Sequence, residues 1–211
     1  MFEEDETGEK IMKNAINTEG EEHSYKEAEQ QRIEEFREAA GYVFSTNMIK
    51  EMKDMGFFLC PASLGYHGDH IGGLYDHSMA VLRALEQLTT CLDLSWQRKE
   101  SPILIAVFHD WVKLQDYIQI GTGREIQYIH NTHKTLHGHG NISVIMALQF
   151  LQNHISAPKL TQEEIACIRY HMGAFVKDRD EWGWYTDAIN TFPNVLWTHT
   201  ADMMASQITG V

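Results

Sequence analysis

Four positions carry the chemistry this chain can most readily do: His77, the adjacent pair His109-Asp110, and Asp202. Imidazole nitrogen and carboxylate oxygen together suit zinc, iron, manganese, nickel or cobalt, and in helical bundles such ligands come from several facing helices. Asp110 makes the strongest case. It closes the apolar run ILIAVFHD, and burying a carboxylate there without a partner costs several kcal/mol or forces its protonation. A divalent cation meets that charge. Taken singly, the residues say less: an isolated His-Asp pair is commonly a surface feature, and Asp202 alone reads as an exposed acid. A lone histidine on an apolar stripe is more often a hydrogen-bonded core residue than a ligand.

These residues need helices to bring them together. Leu74, His77, Val81, Leu85 and Leu88 recur at three- and four-residue spacing, which predicts an amphipathic helix with His77 on its apolar stripe. Ser101-Pro102 opens a helix, buried nearly all round, that leads into His109-Asp110. Asp202 falls on a last helix that follows Pro193 and runs through Leu196, His199, Thr200 and Met203 to about Ile208. Around these, a helix is expected from Ser24 to Ala40, with Ser24 as cap and Glu27 completing a capping box. A second follows Ser45 and stops near Gly56. Helical signals resume from Gly140 to His154, and again after Thr161, where Glu164 completes a T-x-x-E box. Residues 57 to 73, with one proline and four glycines, form a loop. Residues 114 to 138 lose helical periodicity, and IQIGTGREIQYI reads as two short strands joined by a Gly-Thr-Gly turn. The fold class is all-α, a helical bundle with a short irregular or hairpin insert. It divides into an acidic N-terminal arm at residues 1–23, helices packed on the core at 24–56, and a metal-binding domain at 57–211.

Bulk composition narrows the partners. With 211 residues, 43% of them hydrophobic, the chain can bury a core, and no run of eighteen apolar residues suggests a membrane span. The opening MFEEDETGEK carries acid where a secretory signal carries base, so the cytoplasm is the expected compartment. Cys60, Cys91 and Cys167 are odd in number and lack metal-type spacing, and they read as reduced thiols in packing positions. Thirty acidic against seventeen basic residues give a net charge of −13, which opposes long nucleic acid but leaves small phosphorylated molecules as partners. The twelve histidines are the compositional anomaly.

Three motifs stand in order: GGLYDHS with His77, HDWVK with His109, Asp110 and Lys113, and HTADMMA with Asp202. In this order and spacing the chain resembles the HD-domain metal-dependent phosphohydrolase superfamily over roughly residues 57 to 208. It is most similar there to single-domain HD proteins and to the HD module of oligonucleotide-trimming 3′-5′ exoribonucleases. Those share a G-G-L-x-x-H-S/T start, a later G-H and a still later H-G, which read here as GGLYDHS, HGHGNIS with His139, and RYHMG with His171. The resemblance implies one or two divalent ions (Mn, Fe, Ni, Zn, Co or Mg), with His139 and His171 completing a second site and Asp110 bridging both. It implies hydrolysis of a nucleotide-like phosphoester through a metal-bound hydroxide: a phosphomonoester, cyclic nucleotide, nucleoside triphosphate or short oligonucleotide end. A non-catalytic nucleotide-sensing HD module and a di-iron HD-type oxygenase are the alternatives. The sequence departs from the family where Trp111 and Val112 replace small residues, and where Tyr170-His171 replaces a doubled histidine.

Lys113 lies four residues beyond His109, and a continuous helix would present its ammonium on the same face as a phosphate clamp. His67 and His70 precede the glycine pair on the loop; His67 is the candidate to touch phosphate or protonate a leaving group, and His70 reads as surface. His130, His133, His137 and His139 imitate a zinc cluster but lack cysteines and helical spacing. Phe175, Trp182, Trp184 and Tyr185 either stack a base or cap the end of the bundle. His199 reads as a core residue or one that supports a ligand, and His23 and His154 read as exposed.

Overall fold

The computed structural model describes residues 2–4, 10–12, 22–66, 68–121, 125–173 and 179–211, with side chains from residue 25 onward except at 179 and 180. In chain order the elements are β1 (Phe2–Glu4), β2 (Lys10–Met12), α1 (Glu22–Ala40), α2 (Thr46–Asp54), α3 (Gly73–Leu92), α4 (Ser101–Phe108), α5 (Lys113–Asp116), β3 (Tyr117–Ile120), β4 (Gln127–His130), α6 (His139–Gln152), α7 (Gln162–Tyr170), α8 (Arg179–Thr191) and α9 (Asn194–Met204), followed by a wider π-type turn at Ala205–Thr209. The fold is mostly α-helical, as expected. No helix among the described residues is long and apolar enough to cross a membrane. The chain forms two compact units, one of residues 1–77, 113–135 and 211, the other of 78–112 and 136–210.

In the first unit, α1 begins at Glu22, so Ser24 lies inside the helix and is not its cap. The α2 cap is where the sequence puts it: Ser45 accepts a hydrogen bond from the Met48 amide, and Gly56 leaves the helix end at a φ of +86° that few other residues tolerate. Phe36, Phe44, Phe57, Phe58 and Tyr75 pack as a buried aromatic cluster with ring centres 5.2 to 6.4 Å apart. The hairpin is present, with β3 and β4 antiparallel and Ile118 opposite Ile129. Its Gly-Thr-Gly tip lies outside the described residues beyond Gly121.

Asp76 ties α1 to the start of α3. Arg32 approaches both its carboxylate oxygens, at 3.3 and 3.2 Å, and His70 Nε2 lies 2.8 Å away. His70 is thus held in an ion-pair network, more than the free surface residue expected. Burial alone would raise the Asp76 pKa, but the hydrogen bonds from His70 and Arg32 hold it below the usual carboxylate value. The stabilisation is therefore present above the unfolded-state value near 4 and lost as pH falls through the lowered folded-state value. With 29% of the Asp76 side chain exposed, solvent discounts the effect to about 1 kcal/mol. Melting curves across pH should show Asp76→Asn less stable at neutrality and nearly equal to the wild type in strong acid; an equal deficit at every pH would contradict this.

In the second unit, α4 is buried on every side, as its uninterrupted apolar sequence demands. Trp111, fully buried, packs against Phe108 and Phe150 with ring centres 4.5 and 4.7 Å apart. The large residue after His-Asp thus serves core packing. The capping box on α7 is complete, with Thr161 Oγ1 accepting from the Glu164 amide and Glu164 accepting from the Thr161 amide. Glu164 does more than cap: fully buried, it also accepts from Ser101 and from two nitrogens of Arg98. None of the three cysteines forms a disulfide, but only Cys60 and Cys167 are buried; Cys91 is exposed, against the packing role expected of it.

Candidate metal centre

Most of the candidate ligands sit at or near a helix end, where side chains can converge without crowding the helix barrel. His109 directly follows α4 and Asp110 lies in the turn beyond it; His139 opens α6; His171 directly follows α7. Among the described residues two groups of ligand atoms gather, each within 4.8 Å: Asp110 with His139 and His171, and His77 with His109 and Asp202. All six candidate ligands fall in these two groups. His77, His109 and His171 are fully buried, Asp110 nearly so, and Asp202 half-buried.

The first group is built around one carboxylate. Asp110 Oδ1 lies 2.5 Å from His139 Nε2 and 3.3 Å from His171 Nε2, while its Oδ2 is 4.0 Å from His109 Nε2. The His171 ring contacts those of His109 and His139, with centres 5.0 and 5.2 Å away. His109 and His171 are also locked at their far edges. A carbonyl can only accept, so the Nδ1–H of His109 donates to Ala106 and that of His171 donates to Ile168, at 2.9 and 2.7 Å. His77 does the same toward the Val211 carbonyl at 2.8 Å. In the neutral imidazole this places the lone pair on Nε2, the tautomer a ligand needs.

The donor set fits a divalent cation. Neutral imidazoles with a carboxylate are borderline ligands suited to first-row metals, and among the described residues the buried Nε2 of His171 has Asp110 Oδ1 3.3 Å away but no well-directed hydrogen bond. Burial would lower the His171 pKa, but the Asp110 carboxylate, aided by the charge of Asp202, outweighs it and raises the value above the ordinary one. The same local negative charge that attracts a proton attracts a cation.

Two further features hold the group. His199 on α9 donates its Nδ1–H to the His171 carbonyl at 2.8 Å, so the supporting role expected for it is the one its geometry allows. Gly140 follows His139 where α6 meets the end of α7: a Cβ there would run into the Arg169 carbonyl oxygen. Glycine at this position lets His139 approach His171. Gly140→Ala should therefore cost about 2 kcal/mol of stability from overpacking and weaken metal binding at the same time. A variant of unchanged melting temperature and unchanged metal affinity would show that the close approach is unimportant.

The other candidates among the described residues belong to neither ligand group. The helix does not continue from His109 to Lys113; α4 ends at Phe108 and residues 109–112 form a turn, so same-face spacing does not apply. Lys113 instead begins α5, its ammonium 5.9 Å from the centre of the Tyr117 ring. His67 lies outside the described residues. His130, His133 and His137 join no ligand group among the described residues. His154 is half-buried against Phe150, at 5.0 Å between ring centres, not exposed. Of the aromatic segment, Tyr185 is buried while Trp182 and Trp184 remain 44% and 49% exposed, and Phe175 lies outside the described residues. The sequence gives no sign of the backbone carbonyls of Ala106, Ile168 and Val211, which set the tautomers, because no side-chain pattern announces a carbonyl acceptor.

The chain matches no protein-family model, no curated protein and no solved structure, so the arrangement of its own side chains is what speaks for its chemistry.

Proposed function

We propose that the chain is a metal-dependent phosphohydrolase of the HD-domain kind, acting on a nucleotide-like phosphoester. The observation that carries this reading is the position of Asp110. One of its oxygens faces His139 and His171, the other lies toward His109, which is how a carboxylate shared by two adjacent cation positions would be placed. His139 and His171 would hold one ion, His77, His109 and Asp202 the other. The order of the motifs HDWVK and HTADMMA agrees with the same family.

Divalent ions bound there would lower the pKa of a coordinated water and neutralise charge on a phosphoryl oxygen. The chain's own residues supply the rest. The backbone carbonyls hold three imidazoles in the right tautomer, Asp110 carries negative charge into a largely buried centre, and His139, whose side chain is 26% exposed, marks the side from which a ligand can approach. Lys113 and His67 remain candidates for contact with the phosphate.

Purified protein supplied with manganese, zinc or iron should release phosphate or nucleoside from at least one of a panel of nucleoside monophosphates, nucleoside triphosphates, cyclic nucleotides and short oligonucleotides. His109→Ala should abolish that turnover. With metal confirmed bound, no turnover across the panel would leave the hydrolytic reading without support and favour a nucleotide-sensing module.

A further inference from the structure

Between helices α7 and α8 lies a shallow cleft of about 450 Å³, open to solvent, that contains none of the candidate metal ligands. Its wall carries Arg169 and Tyr170 from α7 and Trp184, Asp187 and Phe192 from the α8 side. The Arg169 guanidinium lies 4.8 Å from the centre of the Tyr170 ring and 5.7 Å from that of Trp184. Among the described residues, no carboxylate pairs with Arg169 and no cation pairs with Asp187. Two opposite charges thus line one cleft without meeting, although a chain with a net charge of −13 has carboxylates to spare. Trp184 meanwhile leaves 49% of its surface exposed, an unusual state for the largest apolar side chain.

These groups specify a ligand. A planar guanidinium fork recognises a phosphate or carboxylate through paired hydrogen bonds. The part of the indole left in solvent can stack a flat ring with little regard to its identity. A carboxylate at the other side accepts from N–H donors and repels anions, so the anionic end of the ligand must lie at Arg169. One flat ring with N–H donors and a single anionic group describes a nucleoside monophosphate.

We propose that the α7–α8 cleft is a nucleotide-binding site, with the phosphate on Arg169, the base stacked on Trp184 and Asp187 accepting from the base. The site stands apart from the metal ligands and does not depend on the hydrolytic reading.

Isothermal titration of the full chain with adenosine monophosphate, adenosine and inorganic phosphate tests it. Adenosine monophosphate should bind about tenfold or more tightly than either fragment, because only it engages both stacking and the fork. Arg169→Ala and Trp184→Ala should each weaken it about tenfold, and Arg169→Lys, which keeps the charge but loses the fork, should fall between. Asp110→Asn should leave the share of binding that depends on Arg169 and Trp184 unchanged. Arg169 and Trp184 are both partly exposed, so folding of the variants can be confirmed by melting curves, with Asp187→Asn as a second probe of the same wall. Absence of binding by adenosine monophosphate would overturn the proposal. So would binding indifferent to Arg169 and Trp184, or binding abolished by Asp110→Asn, which would place the nucleotide at the metal centre. Failure of the hydrolysis panel with cleft binding intact would instead strike the hydrolytic reading alone.

Discussion

Asp110→Ala should lose more metal than any other single substitution in the chain. Its two oxygens face separate histidine groups, so on the proposed reading its removal would strip a ligand from both cation positions at once and leave His139 and His171 with no shared carboxylate. Even residues one step removed from a metal typically cost ten- to a hundredfold in affinity when altered, so a ligand shared by two ions should cost more than about a hundredfold. Asp110→Asn is the sharper variant, since it keeps the shape and removes the charge. Metal content after gel filtration would report both. His139→Ala provides the contrast: it should empty the position built on Asp110 and His171 while sparing the one built on His77, His109 and Asp202. If Asp110→Ala retained full metal while His139→Ala lost all of it, the aspartate would not be shared.

The largest effect on stability is expected far from that chemistry. Arg98 donates to both oxygens of Glu164 at 2.7 and 2.6 Å, and the Glu164 side chain is entirely buried. Arg98→Ala leaves this carboxylate inside the protein with only Ser101 and the Thr161 amide to answer it. Breaking such a pair on one side costs about 3–5 kcal/mol, and with 25% of the Arg98 side chain exposed the lower end applies. That corresponds to a fall in Tm of about 6–12 °C for a chain of this size. Replacing both partners with methionine should recover most of the loss, because the cost lies in the orphaned charge more than in the missing attraction. Equal destabilisation by the single and double variants would contradict this and point to packing by the arginine stem.

Much of the fold and of the ligand set is legible in the amino-acid sequence, and the reasons are local. His77 stands out because apolar residues three and four apart fix which face of α3 is buried. The buried state of α4 follows from eight residues without a charge. The Thr161–Glu164 box is readable because capping is a contact between near neighbours. The features that escape the sequence depend on context. Ser24 and Glu27 have the spacing of a box, but α1 begins two residues earlier, so spacing alone does not locate the end. Lys113 falls beside His109 only on a continuous helix, which the turn at 109–112 interrupts. Helix α8 is hard to recognise because WGWY interposes glycine and alternates its tryptophans at a strand-like interval, and about half of each tryptophan stays in solvent, which blurs any buried stripe. The second tie of Glu164, to Arg98, spans 66 residues and no local pattern could show it.

If the two groups of ligands form a paired metal centre, the purified full chain should hold about two ions per molecule. Plasma mass spectrometry, after loading with manganese, zinc or iron and removal of free ions, measures this directly. The wild type should retain that pair and Asp110→Ala close to none. A wild-type chain that retains no ion under any of these loadings would contradict the paired centre.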